Sequence, residues 1–569
     1  MWLLSNINAK SSSTDSGYSF ELNETEKGGI EKNRQWLIIG HIFLRKRQHS
    51  QYNQLQGLKL VETLFNEYGN NFIQHITGQF IIIHLEPNKF TIYSDHFSIK
   101  KFFIWQNGNK FIISDDLKAI AQGVQLMPSN TSIANYAIDY HFTGGTTAFE
   151  NVRHNEPGQI IEFKNGKLNY SHFWQPGNLL KLKKEKVSIR NISEALSQAV
   201  DNGLHLLDKN KISLSLTGGA DTRNLLAIFL SKEIRPHLYT YGNPNSDDCI
   251  KAKAIADGLG LSHSIHDIEM TADLFEEYAR KIIRQSGGIA SIHRAHRIIA
   301  VEWEKQYADN MFLGTLGGEF IKGVSEDDYI VPAIVYENWQ NQNFTIDQLR
   351  AYLHKKFIKP EAVNDEELLS LVQSQPYMTG SITERKHHAL SYITAHLHDA
   401  QDVNLFSSVM QDVITPFLDI DYLELIFSSQ FTFENKEKIE NRYFKRVNNP
   451  VYASNFIKAT YPPLLNYLYS GDHKPADVIF NKYYAALMKI YRKRKTKGKY
   501  QPNFPLGSWM KEFVERNLIL CNDYKVLKET FDLEGLIKEF EKGKYQSKES
   551  YWLKFTNPIM MRFIIEEYS

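Results

Sequence analysis

The chain has 569 residues, 42% apolar and 13% aromatic, which suits two to four folded domains at about 100–200 residues each and excludes global disorder. Its 66 basic and 65 acidic residues leave a net charge of +1, excluding the broad basic field of a general nucleic-acid binder but not a local basic groove. Two cysteines, Cys249 and Cys521, exclude a disulfide framework and a Cys-x-x-Cys zinc site. The opening "MWLLSNINAKSSSTDSG" is too short in apolar residues for a signal-peptide core of about 7–15, and no run nears the roughly 18 that span a membrane. These features predict a soluble, cytoplasmic protein that binds neither nucleic acid nor membrane.

Residues 1–175 read as β-rich. "QWLIIGHIFL", "HITGQFIIIHLE", "KFTIYSDH", "KKFFIWQNG" and "KFIISDD" are short β-branched and aromatic runs with polar breaks, and "NQLQGLKLVETLFNEYG" carries apolar residues at helical spacing. Pro176, Gly177 and the lysines 181, 183, 184 and 186 predict a solvated linker, placing a boundary near 175–190. Beyond it, strands and helices alternate. "KISLSLT", "HLYTYG", "SHSIHDIEM" and "NMFLGT" read as strands; "DTRNLLAIFLSKE", "DDCIKAKAIADGLG", "ADLFEEYARKIIRQSG" and "RAHRIIAVEWEKQYA" read as helices. Such alternation predicts a parallel sheet covered by helices on both faces, with ligands bound beyond the carboxyl ends of the strands. The remainder, to Ser569, reads as mostly helical.

The first of these strands hands over to its helix through Thr217-Gly218-Gly219-Ala220-Asp221-Thr222. Glycines there let the backbone turn and leave amides open, and a helix start adds free N–H groups and a positive dipole end. Thr217 and Thr222 add hydroxyls. Asp221 among anion donors makes sense if a cation joins them, and magnesium carried by ATP is such a cation. The stretch therefore suits a pyrophosphate with its metal. It reads equally well as a β-turn with Asp221 as a helix N-cap. It is not a Walker loop, because Gly-x-x-x-x-Gly-Lys-Ser/Thr is missing.

"SLTGGADTR" resembles the PP-loop, Ser-Gly-Gly-x-Asp-Ser, of the asparagine synthetase superfamily of ATP pyrophosphatases. Further segments match in order: "YTYGNPNSDDCIKAKAIADGLGLSH", "NMFLGTLGGEFIKG" where the family has Ser-Gly-Glu-Gly-Ser-Asp-Glu, "TPFLDIDYLELIF" and "KTKGKYQPNFPLGSWM". Upstream, "YSDHFSIKKFFIW", "KFIISDDLKAIAQG" and "SHFWQPGN" are similar to segments of the family's glutaminase half. The resemblance implies an α/β protein. Residues 1–178 would form an Ntn-hydrolase-like α+β sandwich. Residues 187–569 would form a PP-loop, adenine nucleotide α-hydrolase-like parallel-sheet domain with a helical C-terminal part. It implies an ATP-dependent ligase in which a carboxylate is adenylated, pyrophosphate leaves, and ammonia or an amine attacks the acyl carbon. The protein's task would be electrostatic stabilisation of the departing charge. By motif match, Leu216, Tyr241 and Gly314 would line adenine and ribose. Thr217, Gly218, Gly219, Asp221 and Thr222 would hold pyrophosphate and magnesium, with help from Asp248 unless it is an ordinary helix-start acid. Lys497, with Lys499 in reserve, would steady charge near the acyl centre unless this basic run is a solvated loop.

The departures bear on the substrate. Thr315 stands where the family has its first loop Glu, and Gly318 where it has the magnesium-binding Asp. Only Glu319 keeps a carboxylate: either it shifts to act in catalysis and at the metal, or one metal contact is lost. Ile414, two residues before Pro416, replaces an Arg. Trp2 stands where the glutaminase nucleophile Cys follows the initiator Met, so no glutamine hydrolysis is expected. The N-terminal half would then serve as a scaffold, a substrate dock, or a module binding a peptide or partner protein. "SIHRAHR" offers His293 and His296 as metal ligands without a third, Arg294 or Arg297 as a grip on a substrate carboxylate, or simply a polar helix face. Open substrates are aspartate, a precursor peptide closed into a macrolactam as by lasso-peptide cyclases, and a sugar uronate. The alternative from another class is a non-catalytic ATP-binding scaffold.

Overall fold

The computed structural model describes residues 1–6, 18–22, 30–45, 52, 55–209, 211–322, 345–373, 392, 396–398, 400–431, 448–504, 506–543, 545 and 549–569. The N-terminal part holds two antiparallel sheets. The first contains β1 (Trp2–Ser5), β2 (Ser19–Leu22), β7 (Phe103–Asn107), β8 (Lys110–Ser114) and β9 (Val152–His154), in the order β2-β1-β8-β7-β9. The second contains β3 (Ile30–Lys32), β4 (Trp36–Leu44), β5 (Ile76–Glu86), β6 (Lys89–Ser94), β10 (Gln159–Lys164) and β11 (Lys167–His172), in the order β11-β10-β6-β5-β4-β3.

Alternation along the strands decides the layers. Ile81 and Ile83 of β5 point with Ile92, Phe111 and Ile113 into a core between the two sheets. Phe80 and Ile82, one residue out of phase, face Leu60, Val61 and Leu64 of the helix Gly57–Tyr68. On the outer face of the first sheet, Phe103 and Ile112 join the large core shared with the C-terminal helices.

The second part is built on a five-stranded sheet of β12 (Ile212–Ser215), β13 (His237–Tyr241), β14 (His263–His266), β15 (Asn310–Phe312) and β16 (Asp412–Ile414). All four pairings are parallel, and the order is β14-β13-β12-β15-β16. The fold is thus mixed α/β: antiparallel sheets, then a parallel-sheet domain, then a mostly helical C-terminal part. The expected helices form at Asp221–Ser231, Asp247–Leu259, Ala272–Ser286 and Ala295–Glu304. No helix among the described residues is long and apolar enough to cross a membrane.

The linker lysines 181, 183, 184 and 186 are exposed, as expected of a solvated linker, but its backbone is tethered. The Lys184 ammonium donates to the Phe427 carbonyl at 2.6 Å, the Glu185 amide to Ser428 at 2.7 Å, and the Val187 amide to Gln430 at 3.0 Å. The two parts also meet at β16. His41 of β4 pairs with Asp412 at 2.6 Å, the Gln79 amide meets the Thr415 hydroxyl, and Arg45 bonds Asp421 at 2.8 Å and Glu424 at 2.5 Å.

Candidate active site

β12 is the middle strand of the parallel sheet. The chain leaves it toward β13 on one side and returns through β15 on the other. That is the switch point at which open α/β sheets leave a crevice for ligands. Leu216 closes the strand: it is fully buried, its amide donates to Tyr239 at 2.8 Å, and its carbonyl accepts from the Thr240 hydroxyl at 2.6 Å. Thr217–Thr222 then turn into the helix Asp221–Ser231. Its N-cap is Ala220, which offers no side-chain cap, so Asp221 sits in the first helical turn. The reading of Asp221 as an N-cap is therefore corrected.

The glycines also act differently from the expectation. Neither Gly218 nor Gly219 has a positive φ among the described backbone. The Gly218 amide donates to Asp248 at 3.2 Å and the Gly219 amide to the Thr217 hydroxyl at 3.0 Å, so these amides are engaged rather than open. What demands glycine at 218 is space. A Cβ there would lie 2.2 Å from the Ser470 hydroxyl and 3.0 Å from its amide nitrogen.

The third loop lies directly on this turn. A Cβ on Gly314 would meet the Thr222 hydroxyl at 2.6 Å, and one on Gly317 would meet the Asp221 Cβ at 2.8 Å. Between them, buried Leu316 has φ +66°, a left-handed conformation rare for a branched side chain. The Thr315 hydroxyl, where the family carries a Glu, is buried without a hydrogen-bond partner among the described residues. Gly318 supplies no side chain. Glu319 opens a short helix, Glu319–Lys322, and its side chain lies outside the described residues.

Three buried tyrosines, Tyr422, Tyr452 and Tyr469, feel the charge of Asp221. Burial raises each phenol, and the Asp221 charge adds to the rise.

Tyr241 ends β13 with its ring 5.5 Å from His296, which lies 4.6 Å from Phe504. Burial, then the charge of Arg297, lowers the His296 pKa to about 3, so the imidazole is neutral. The Asn243 amide donates to Asn503 at 2.9 Å, which fixes the segment after Lys499 against the end of β13. Lys497 and Lys499 are both exposed on the turn after the helix Lys482–Thr496, and no contact among the described residues joins either to Asp221.

A network absent from the sequence reading supports the turn. Ser470 donates its amide to the Gly218 carbonyl at 2.7 Å and its hydroxyl to Asp248 at 2.6 Å, across 222 residues of chain. Arg223, fully buried, donates to the carbonyls of Tyr467 at 2.9 Å and Leu468 at 2.7 Å and stacks 4.2 Å from the Tyr469 ring. Burial lowers its pKa to about 10. Buried Lys251 pairs with Asp247 at 2.5 Å and Asp472 at 3.0 Å, and Thr496 donates to Asp472 at 2.9 Å.

Two alternatives are corrected. Arg294 and Arg297 do not await a substrate carboxylate. Arg294 donates to one Asp402 oxygen, and Arg297 to the other at 2.6 Å. Burial would raise the Asp402 carboxyl, but the two guanidinium charges hold it well below the usual range. His293 bonds Thr556 at 2.8 Å, and no cluster of metal-ligating side chains occurs among the described residues.

Residues 45–174 match the family model described as a glutamine amidotransferase domain. The chain is 21% identical over 206 residues to asparagine synthetase [glutamine-hydrolyzing] 3 of Bacillus subtilis, a match covering 35% of this chain and 33% of that protein. The chain is asparagine synthetase-like. It spans about a third of the length of that relative. Among solved structures, glutamine phosphoribosylpyrophosphate amidotransferase from B. subtilis aligns over 50% of this chain and 63% of its own, at 8% identity and a TM-score of 0.15. An allosteric regulatory enzyme of purine biosynthesis aligns over 62% of this chain and 74% of its own, at 9% identity and a TM-score of 0.18. Scores this low carry no weight for the fold. In this asparagine synthetase-like chain, Trp2 is buried in the core between the two antiparallel sheets, its ring 5.5 Å from Phe102 and its amide bonded to Asp115 at 2.9 Å.

Proposed function

We propose that the chain is an ATP-dependent, AMP-forming amide-bond ligase. It would adenylate a carboxylate and transfer the acyl group to ammonia or an amine, without hydrolysing glutamine itself. The observation that carries this reading is the Thr217–Thr222 turn at the switch point of the parallel sheet, with the Gly314–Gly318 backbone laid across it. The donor set fits ATP with magnesium. A helix without a side-chain cap begins there, an unpartnered Thr315 hydroxyl lies beside it, and Asp221 and Asp248 bring carboxylates. When bound, magnesium-ATP supplies an electrophilic phosphorus and a pyrophosphate leaving group.

The chain's own residues divide the rest. Thr217, Gly218, Gly219 and Thr222 would orient the pyrophosphate, with Asp221, Glu319 and Asp248 toward the cation. Leu216, Tyr241 and Gly314 would border the nucleoside. Arg223 and Ser470 hold the turn from behind. Lys497, or Lys499 beside it, would bring positive charge to the acyl centre, and because both are exposed this needs the 497–499 turn to move inward. Aspartate, a peptide carboxylate and a uronate all remain compatible with the site.

The test is product analysis with magnesium-ATP, ammonium and a panel of aspartate, uronates and peptides, repeated with glutamine in place of ammonium. AMP and pyrophosphate with ammonium alone support the ligase. Asp221→Ala should abolish AMP release with the circular dichroism spectrum unchanged; wild-type turnover in that variant would sink the reading. Lys497→Ala should slow turnover at least about 10²-fold, and an undiminished rate would remove Lys497 from the site. The replacement of carboxylates by Thr315 and Gly318 favours one second reading, an ATP-binding scaffold, which would bind ATP and release no AMP.

A further inference from the structure

The helix Lys482–Thr496 stands out from the surface with its apolar side uncovered. Phe480 is 77% exposed, Tyr483 65%, Tyr484 42%, Leu487 68%, Ile490 52% and Tyr491 59%. Within the helix, Tyr483, Tyr484, Leu487, Ile490 and Tyr491 fall on one face at steps of three and four, and Phe480, which ends the preceding helix Pro475–Phe480, joins them with its ring 5.4 Å from Tyr484. An apolar stripe this long on a protein surface marks an interaction site. At 1.5 Å per residue the helix runs about 22 Å. Arg494 and Lys495 continue the same face at its end and, like Lys493, are exposed. Between Phe480 and Tyr500 there are eight Lys or Arg and no Asp or Glu.

We infer that this helix lies flat on an anionic lipid surface, its aromatic stripe at the headgroup boundary and its Lys/Arg flank on the lipid phosphates. The composition decides the occupant. A second copy of the same helix would bring six like charges against six. An acidic helix from another protein would need a groove, whereas every side chain of this stripe protrudes and so presents a flat strip. Tyrosine beside lysine and arginine is the pattern of interfacial helices, in which the rings sit at the headgroups and the long cations reach up to phosphate. This is peripheral contact, where the sequence suggested no membrane partner, and no helix among the described residues is long and apolar enough to span. The inference stands apart from the ligase reading. It rests on the outer face of the helix, whereas the site chemistry lies at the ends of β12 and β15.

The test is co-sedimentation of the full chain with phosphatidylcholine vesicles, with and without about a third phosphatidylglycerol. Binding is expected only to the anionic vesicles and should weaken as salt rises. Lys493→Gln/Arg494→Gln/Lys495→Gln should weaken it by about 10²-fold. Leu487→Ser/Ile490→Ser should weaken it while the charge is unchanged. Far-ultraviolet circular dichroism and thermal unfolding of both variants should match wild type, since the changed side chains are exposed. No binding to anionic vesicles, or binding indifferent to Leu487→Ser/Ile490→Ser, overturns the inference. So does wild-type self-association in sedimentation velocity that this variant abolishes, which would assign the stripe to a second copy. So does equal binding of soluble polyglutamate, which would assign it to an acidic chain.

Discussion

Gly218→Ala tests the packing behind the Thr217–Thr222 turn without reference to any ligand. The new Cβ would sit 2.2 Å from the Ser470 hydroxyl and 3.0 Å from the Ser470 amide nitrogen. The first distance is impossible and the second is tight, so Ser470 must swing away and the turn around it must shift. Swinging the hydroxyl breaks its 2.6 Å bond to Asp248, a bond to a carboxylate worth about 1.5–3 kcal/mol. The backbone shift adds an overpacking cost of about 1–3 kcal/mol. The sum is about 3–5 kcal/mol after allowing for partial relaxation. Ser470→Gly alone loses the hydroxyl bond and adds the backbone freedom of a glycine, a cost that recurs in the double variant and so cancels from the coupling. In the double variant the hydroxyl clash has gone, so its destabilisation should fall short of the sum of the singles by at least about 1 kcal/mol. Equilibrium urea unfolding of the four proteins, followed by tryptophan fluorescence, measures this coupling. Additivity within about 0.5 kcal/mol would refute the claim that the two residues exclude each other.

Trp2→Ala should destabilise the antiparallel core by about 3–5 kcal/mol, measured by the same unfolding, because a whole indole is lost from it. Trp2→Cys should release no glutamate from glutamine, and release above background would show a working glutaminase site. Arg294→Leu leaves the buried Asp402 carboxylate with a single partner and should cost about 3–5 kcal/mol in the unfolding midpoint. The Asp402 carboxyl is held low in the folded state, so its contribution is complete above the unfolded value of about 3.9 and fades as pH falls below it. Asp402→Asn should flatten that part of the stability profile. His96 and His296, lowered to about 3, and His154, lowered to about 4, stay neutral when folded but gain protons when unfolded. Stability should therefore fall as pH drops from about 6.5 toward 4, and His296 ring resonances should not titrate between pH about 8 and 5. A midpoint that is flat across that range would contradict the burial of these rings.

The sequence displayed the elements whose pattern is local. β5 could be read because its β-branched and aromatic run Phe80–Ile83 is set between polar residues, and the first four parallel strands because each is followed by a helix with its own punctuation. β16 escaped, because three residues, Asp412–Ile414, are too few to show a period, and its pairing with β15 reaches across about a hundred residues. The same distance hid the fate of "SIHRAHR". Nothing near Arg294 announces Asp402, which lies 108 positions away and claims both guanidinium groups. The turn at Thr217 was legible as a strand-to-helix handover through its residue types, but the reason for Gly218 was not. Composition suggested a flexible backbone, whereas the structure shows a close approach by Ser470 from a separate helix connection. Arg223 looked like one more helix residue. Its role comes from carbonyls in the 467–468 segment, which no local pattern advertises.

The contact between β4 and β16 bears on what the N-terminal half does for the parallel sheet. β16 is the outermost strand of the parallel sheet, and such a strand carries a row of backbone groups that would template pairing with any exposed chain. Through His41, Arg45 and Gln79 the N-terminal sandwich is bolted over that side of the sheet, onto Asp412, Thr415, Asp421 and Glu424. A fragment beginning at residue 187 would keep the Thr217–Thr222 turn and lose the cover over that border. The N-terminal half therefore has a structural task at that border, whatever chemistry it carries.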